Sequence, residues 1–500
     1  MAASTAERGR KLTLVATMLG SSLGFIDATV VNVALPTIER DLDLGLSGLQ
    51  WVVLAYALGL AALLLPSGAV GDRRGRRETF VAGVVAFGIA SVVCGAAPNE
   101  ALLIIGRAAQ GVAAAFMTTN SLALLREVYG AEAGRAIGLW TAGTTLATLA
   151  GPPAGGALVE WVSWRWIFFI NIPLVVATVV LALAGRCPNR TRQSVGQLDV
   201  PGAALAAAGF GFLSYALVEG GEGGFGGVWW ALVLGVAALV ALVPVERRAA
   251  EPLVPPEFFR RRNLALANLE TFLAYAALGG ILLYLPIYLQ FLGFNAFQSG
   301  LATIPIDVVL ILLATRAGAL ADRYGPRLFL TAGPALLGAG ALVWLLLDER
   351  GDFWTAGLAG MLIFALGLAA LVAPITTTAL SSAPESLAGV ASGVNMMVAR
   401  VGGLLAVAVM GLVISRVFDG AVDAPSAVPL ARGQEDPELR AASIDGWRAA
   451  VVVAALLSLA AAFVALGISN AEARGAARPG ASEPMPSEAC GSMGLPTAAT

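Results

Sequence analysis

Fourteen apolar runs, each about long enough to cross a lipid bilayer, follow one another with short breaks along this 500-residue chain. They fall near residues 12–36, 49–70, 79–97, 101–125, 136–158, 164–185 and 200–218, then 228–245, 264–292, 297–320, 327–347, 354–380, 387–415 and 447–469. A bilayer core holds no water to satisfy backbone N–H and C=O groups, so such runs fold as α-helices. Composition agrees, with 58% hydrophobic and 13% charged residues, against roughly 25% charged in an ordinary soluble domain. Mean hydropathy is +0.80. The expected fold class is an all-α polytopic membrane protein. The segment 200–245 is read as two helices, because Glu219–Gly227 (EGGEGGFGG) is too rich in glycine and acid to continue one.

Basic residues give the expected orientation. The N-terminal tail and the loops after even-numbered runs hold most of the arginines, including Arg73, Arg74, Arg76 and Arg77 in one loop and Arg260, Arg261 and Arg262 in another. The opposite loops hold only Arg40, Arg165, Arg350, Arg416, Arg432, Arg440 and Arg448. By the positive-inside rule both termini are cytoplasmic. A net charge of −2 with no basic patch argues against a nucleic-acid partner. The first run lacks a cleavage site and is expected to be retained. Residues 1–11 read as a cytoplasmic tail, 416–446 as the longest external loop, and 470–500 as a disordered cytoplasmic tail. The chain has no histidine, and Cys94, Cys187 and Cys490 show no metal-binding spacing, so proton chemistry falls to carboxylates and no metal or cofactor is expected.

One short pattern occurs twice, 250 positions apart: GAVGDRRGRR at Gly68–Arg77 and GALADRYGPR at Gly318–Arg327. Gly68, Asp72, Arg73, Gly75 and Arg77 recur as Gly318, Asp322, Arg323, Gly325 and Arg327. Each copy ends one apolar run and begins the next, so each is a tight charged hairpin on the cytoplasmic side. A repeated hairpin implies two related halves. The second copy has Ala321 in place of a glycine and Pro326 in place of Arg76, so the halves are unequal.

These strings resemble a known family. Gly68–Arg77 is similar to the hairpin signature of the major facilitator superfamily, and Ile104–Phe116 (IIGRAAQGVAAAF, with Arg107) to its fourth-helix motif. GPPAGG at Gly151–Gly156 resembles its antiporter motif. FIDATVVNVALP (25–36), QWVVLAY (50–56) and WRWIFFINIP (164–173) resemble the fourteen-helix drug/proton antiporter branch. Eight runs lie between the two hairpins, where a twelve-helix member has six. The resemblance implies a six-helix half at 12–185, a linker with two extra helices at 186–262, and a second six-helix half at 263–469. A single lysine, Lys11, amid abundant Ala and Gly suggests GC-rich codon usage and a bacterial plasma membrane.

Charges inside the apolar runs are the chemical candidates, since each costs about 2.5–3.5 kcal/mol at mid-bilayer. Asp27, Arg107, Glu270 and Asp307 are expected to serve proton coupling or substrate binding, with Asp27 first because it matches a family position; Asp27 could instead form a static ion pair with Arg107. Arg400 is a further intramembrane charge without a clear part. Gly68, Asp72, Arg73, Gly75, Arg76, Arg77, Asp322 and Arg323 are expected to form a cytoplasmic gate. Gly151, Pro152, Gly155 and Gly156 are expected to interrupt the fifth run, and the resemblance implies that this bend seals the cavity against leak. Tyr56, Phe168, Asn171, Tyr284, Gln290 and Asn395 are candidate cavity-lining residues. The resemblance implies a functional monomer that exports lipophilic or cationic drugs, or other small organic molecules, in exchange for protons by alternating access. The driving force is the proton gradient. An exporter or symporter specific for one metabolite or antibiotic is the alternative, and a membrane sensor a remote one.

Overall fold

The protein is described by a computed structural model over residues 2–185, 199–249, 261–348, 353–383, 388–422 and 427–470. Among these residues there is no strand. Fourteen helical passes succeed one another: α1 (Ala2–Leu42), α2 (Leu46–Arg74), α3 (Arg76–Gly95), α4 (Glu100–Tyr129), α5 (Ala133–Trp161) and α6 (Trp166–Ala184). Then come α7 (Val200–Gly223), α8 (Trp229–Arg248), α9 (Arg262–Phe291), α10 (Ala296–Tyr324) and α11 (Pro326–Val343). The last three are α12 (Leu358–Ser381), α13 (Ala388–Ala421) and α14 (Pro437–Ala465). Thirteen are apolar and long enough to cross a membrane. The exception is α5, which is diluted by threonine, glycine and proline.

Three boundaries differ from the sequence expectation. Residues 2–11 are the first turns of α1, not a free tail, because Glu7 and Lys11 pair at 2.7 Å across one helical turn and nothing there breaks a helix. Helices also invade the supposed loop 416–446: α13 runs to Ala421, and α14 starts at Pro437 with Asp436 accepting from the amides of Glu438 and Leu439. Finally, Pro152 and Pro153 do not interrupt α5, which continues from Ala133 to Trp161. Packing on both sides carries it past the missing donors. The linker segments 186–198 and 250–260 and the tail from 471 lie outside the described residues.

The passes form two bundles, α1–α6 and α9–α14, joined at one end. There Gln50 on α2 donates to the Tyr284 hydroxyl (2.8 Å) and to the Val407 carbonyl (3.0 Å), and Gln290 on α9 donates to the Val33 carbonyl (2.9 Å). At the same end a Cβ added to Gly156 on α5 would overlap the backbone of Ala296 and Phe297, and one on Gly300 the backbone of Pro152. Two backbones touch because glycine allows it. All these contacts lie toward the arginine-poor loops. Toward the arginine-rich end, Thr141 and Ala142 on α5, Leu312, Thr315 and Arg316 on α10, and Thr376 and Thr377 on α12 are exposed.

The extra pair α7–α8 packs beside the junction of the halves. A cleft lies between α2, α13 and α7, walled by Leu58, Ala62, Phe210, Met397, Val401 and Leu404 among others. At its outer end α7 is fixed to both halves: Trp51 donates to Glu219 (3.0 Å), and Arg416 to the Gly220 carbonyl (2.7 Å). Helix α8 turns Trp229, Val233, Val236 and Val240 outward, as a lipid-facing helix would.

The hairpin between α2 and α3 turns on Gly75, whose φ of 109° falls where a side chain is strained. Replacing Gly75 with alanine is expected to destabilise the protein by on the order of 1 kcal/mol in thermal unfolding. By contrast Gly138→Ala, in open space within α5, should be neutral or mildly stabilising.

Candidate functional site

Asp27 and Arg107 meet in the middle of the N-terminal bundle, each 1% exposed. Asp27 comes from α1 and Arg107 from α4, and they form a direct ion pair. The rest of the cage is amide and hydroxyl. Gln110, one turn beyond Arg107, accepts from its guanidinium (2.9 Å) and donates to Asp27 Oδ1 (3.1 Å) and Ser91 (2.9 Å). Asn171 on α6 donates to the same Asp27 oxygen (3.4 Å) and to Ser91 (3.3 Å). Arg107 Nε donates to the Val52 carbonyl of α2 (3.0 Å), and the guanidinium lies over the rings of Tyr56 (4.5 Å) and Phe168 (5.9 Å). Tyr56 in turn donates to the Gly24 carbonyl on α1 (3.1 Å). Five helices therefore converge on one charge pair. A buried pair is tolerable only when its remaining hydrogen-bonding capacity is met in this way.

Of the six cavity candidates, Tyr56, Phe168 and Asn171 belong to this cage. Tyr284 and Gln290 sit in the junction between the halves, both buried, and Asn395 is tied to Thr271 (2.8 Å) and Asn268 (3.3 Å) on α9. None of the six is an exposed lining residue: five use their polar ends to tie helices together, and the Phe168 ring lies under the Arg107 guanidinium. Gln50, Ser91 and Gln110 were not among the candidates, although Gln50 opens the QWVVLAY string and Gln110 lies in the α4 motif.

The GPPAGG segment forms a seam with two partners. Gly151 and Gly155 lie against Thr29 and Val30 of α1, while Gly156 lies against α10 of the other half. Its contacts thus fall at the closed end of the junction.

The two hairpins differ in their chemistry. In the first, Asp72 pairs with Arg76 (2.8 Å), which also donates to the Ala123 carbonyl (3.1 Å) and lies 3.8 Å from Glu127 on α4. Arg77 donates to the Leu183 carbonyl of α6 (2.7 Å). Gly68 rests against Thr119, and Arg73 is exposed. These bonds stay within the N-terminal half. In the second, position 326 is proline, so Asp322 has no arginine one turn on, and both Asp322 and Arg323 are exposed. Gly325 repeats the turn with φ of 100°, and Asn470 caps it by accepting from the Arg327 amide (3.1 Å).

The C-terminal half holds its charges apart. Glu270 on α9 is fully buried with neither carboxylate oxygen hydrogen-bonded, so it is not the solvated group its place near the helix end would allow. Asp307 on α10 is half-buried and Arg400 on α13 is exposed. The structure thus joins Asp27 to Arg107 and leaves Glu270 and Asp307 outside that cluster.

Removing one member of a buried pair strands the other charge. Arg107→Ala is expected to destabilise the protein by about 3–5 kcal/mol in detergent unfolding. The double change Asp27→Asn with Arg107→Gln, which removes both charges and keeps the amide lattice, should lie much closer to wild type.

Comparison with known proteins accords with this geometry. Residues 17–407 match the Major Facilitator Superfamily. Multidrug resistance protein Stp of Mycobacterium tuberculosis H37Rv is 35% identical over 416 residues, covering 82% of this chain and 76% of that protein. The tetracenomycin C resistance and export protein of Streptomyces glaucescens is 33% identical (82% and 78% covered), and the puromycin resistance protein pur8 of Streptomyces alboniger 35% (80% and 81%). Among solved structures, a bacterial homologue of the human lysosomal transporter Spinster superposes with a TM-score of 0.68 at 19% identity, covering 93% of this chain and 97% of that one. The xylose transporter XylE of Escherichia coli gives 0.58 at 14%, covering 90% and 94%. The chain belongs to the Major Facilitator Superfamily, as a multi-pass membrane transporter and not an enzyme.

Proposed function

We propose that this protein exports small organic molecules, drugs and antibiotics among them, from the bacterial cytoplasm in exchange for protons by alternating access. The relatives that resist or export antibiotics support the substrate class. The observation that carries the mechanism is the one-ended junction of the halves. They touch through Gln50, Gln290 and the Gly156–Gly300 approach at the arginine-poor end, while Thr141, Thr315 and Thr376 are exposed toward the arginine-rich end. With the arginine-rich loops in the cytoplasm, this is the state open to the inside. Export requires the opposite state, in which the outer contacts part and the inner ends meet. The repeated hairpins lie at those inner ends and would act there as the gate.

Coupling is assigned to Asp27. In this state it is held by Arg107, Gln110 and Asn171, so Arg107 and a proton compete for one carboxylate. Movement of α1 or α4 that parts the pair opens Asp27 to a proton from outside, and its restoration inside returns the proton to the cytoplasm. A ligand biases the two states only by its differential affinity for them.

Everted membrane vesicles test the exchange. Addition of substrate to energised vesicles should release protons from the lumen, and Asp27→Asn should abolish that release while leaving substrate binding in place. Persistence of the proton signal in the variant would exclude Asp27 as the coupling group. The outer junction gives a second test. The rings of Trp161 and Phe297 lie 5.0 Å apart across it. Replacing both with cysteine should allow a cross-link that stops transport and is reversed by reduction; full transport in the cross-linked protein would show that this junction never opens.

A further inference from the structure

Arg400, like Glu270 and Asp307, is a deep charge that the coupling scheme does not use. It lies twelve residues into α13, roughly 18 Å from the start of that helix at 1.5 Å per residue. Asp27 and Arg107 bury one another, Glu270 is buried and Asp307 half-buried, whereas Arg400 is exposed. No described residue forms a hydrogen bond or ion pair with it. An unpaired guanidinium at this depth facing lipid would be costly, so its direction matters.

The neighbours on α13 give that direction. Gly402 and Gly403 press on the backbone of α9 at Phe272 and Tyr275, while Met397, Val401 and Leu404 wall the cleft toward α2 and α7. Arg400 falls on the arc between these two faces. Val407, seven residues on and therefore on the same face, offers its carbonyl to both Gln50 of α2 and Tyr284 of α9. The face that closes the junction at one end thus carries Arg400 into the space between the halves at the other. Arg400 also lies within electrostatic reach of two hydroxyls, Tyr56 on α2 and Tyr275 on α9. Tyr56 donates to Gly24, but the Tyr275 hydroxyl has no hydrogen-bond partner among the described residues. Met396, one turn before Arg400, is 46% exposed and supplies apolar surface beside the charge.

We propose that Arg400, assisted by the Tyr275 hydroxyl, binds the anionic group of an amphiphilic organic substrate such as a carboxylate, sulfonate or phenolate. The site therefore prefers anions to cations of the same shape, in contrast to the cationic drugs that the family resemblance implies. A guanidinium presents a planar fork of donors suited to an oxyanion. Water reaches it while the inner end is open. When the inner ends meet that water is lost, and a bound anion replaces it at a point where Asp27 is committed to Arg107 and Glu270 is buried. This assignment rests on the carrier reading above, but not on proton exchange.

The test uses the purified full chain in detergent and two probes of similar shape and opposite charge, biphenyl-4-carboxylate and biphenyl-4-yl-trimethylammonium, with binding followed by tryptophan quenching. The ratio of the two affinities, compared between wild type and variants, cancels partition into detergent. Arg400→Gln should lower the anion preference by about tenfold or more, as loss of a charge-assisted contact predicts. Arg400→Lys should retain most of it, and Tyr275→Phe should reduce it a few-fold. An unchanged ratio in Arg400→Gln, or no binding of biphenyl-4-carboxylate by wild type, would overturn the assignment. If the anion preference survives while the vesicle assay shows no proton release, the exchange mechanism fails and the anion site stands.

Discussion

The ion pair between Asp27 and Arg107 organises the N-terminal bundle. Each charge taken from water costs several kcal/mol, and the attraction between them offsets this only if every remaining donor and acceptor is used. That requirement draws in Gln110 and Ser91, Asn171 from α6 and the Val52 carbonyl of α2, so one charge pair fixes the relative positions of five helices. Apolar packing between helices in lipid has no such directionality, because lipid tails are as apolar as leucine. The same group thus serves structure and chemistry, and moving it moves the bundle.

The C-terminal bundle is built by different means. Glycine seams bring its helices together, as where Gly402 and Gly403 meet α9, and its charges Glu270, Asp307 and Arg400 stay apart. Two related halves therefore differ in how they hold the charges at their centres. The repeated hairpins show the same inequality on a smaller scale: one proline, Pro326, in place of Arg76 removes the partner of Asp322 and leaves its charge exposed.

The sequence disclosed the helical passes, because the bilayer permits hardly any other solution, and it disclosed the pairing of Asp27 with Arg107 as one alternative for two charges in apolar runs. It also marked Gly75 and Gly325 as turns, since the repeat retained them through other substitutions. What it concealed were contacts made by ordinary residues across the junction. Gln50 and Gln290 resemble any polar residue near a helix end, and nothing local tells that their amides bridge two bundles. Tyr284 and Asn395, chosen as lining groups, were turned inward by the same need to satisfy buried polar atoms. Proline in α5 misled for a related reason, since the close packing of α1 and α10 supports a helix that isolated proline chemistry would break.

The outer end of α7 is held from both sides, by Trp51 of one half and Arg416 of the other. Any motion that separates the halves at that end stretches this double attachment, and both bonds cannot survive unless the helix lies on the axis of rotation. The inserted pair is thus either a hinge pin or a passenger that must release one half, and the weaker of two hydrogen bonds determines which half carries the wall of the cleft when the carrier turns.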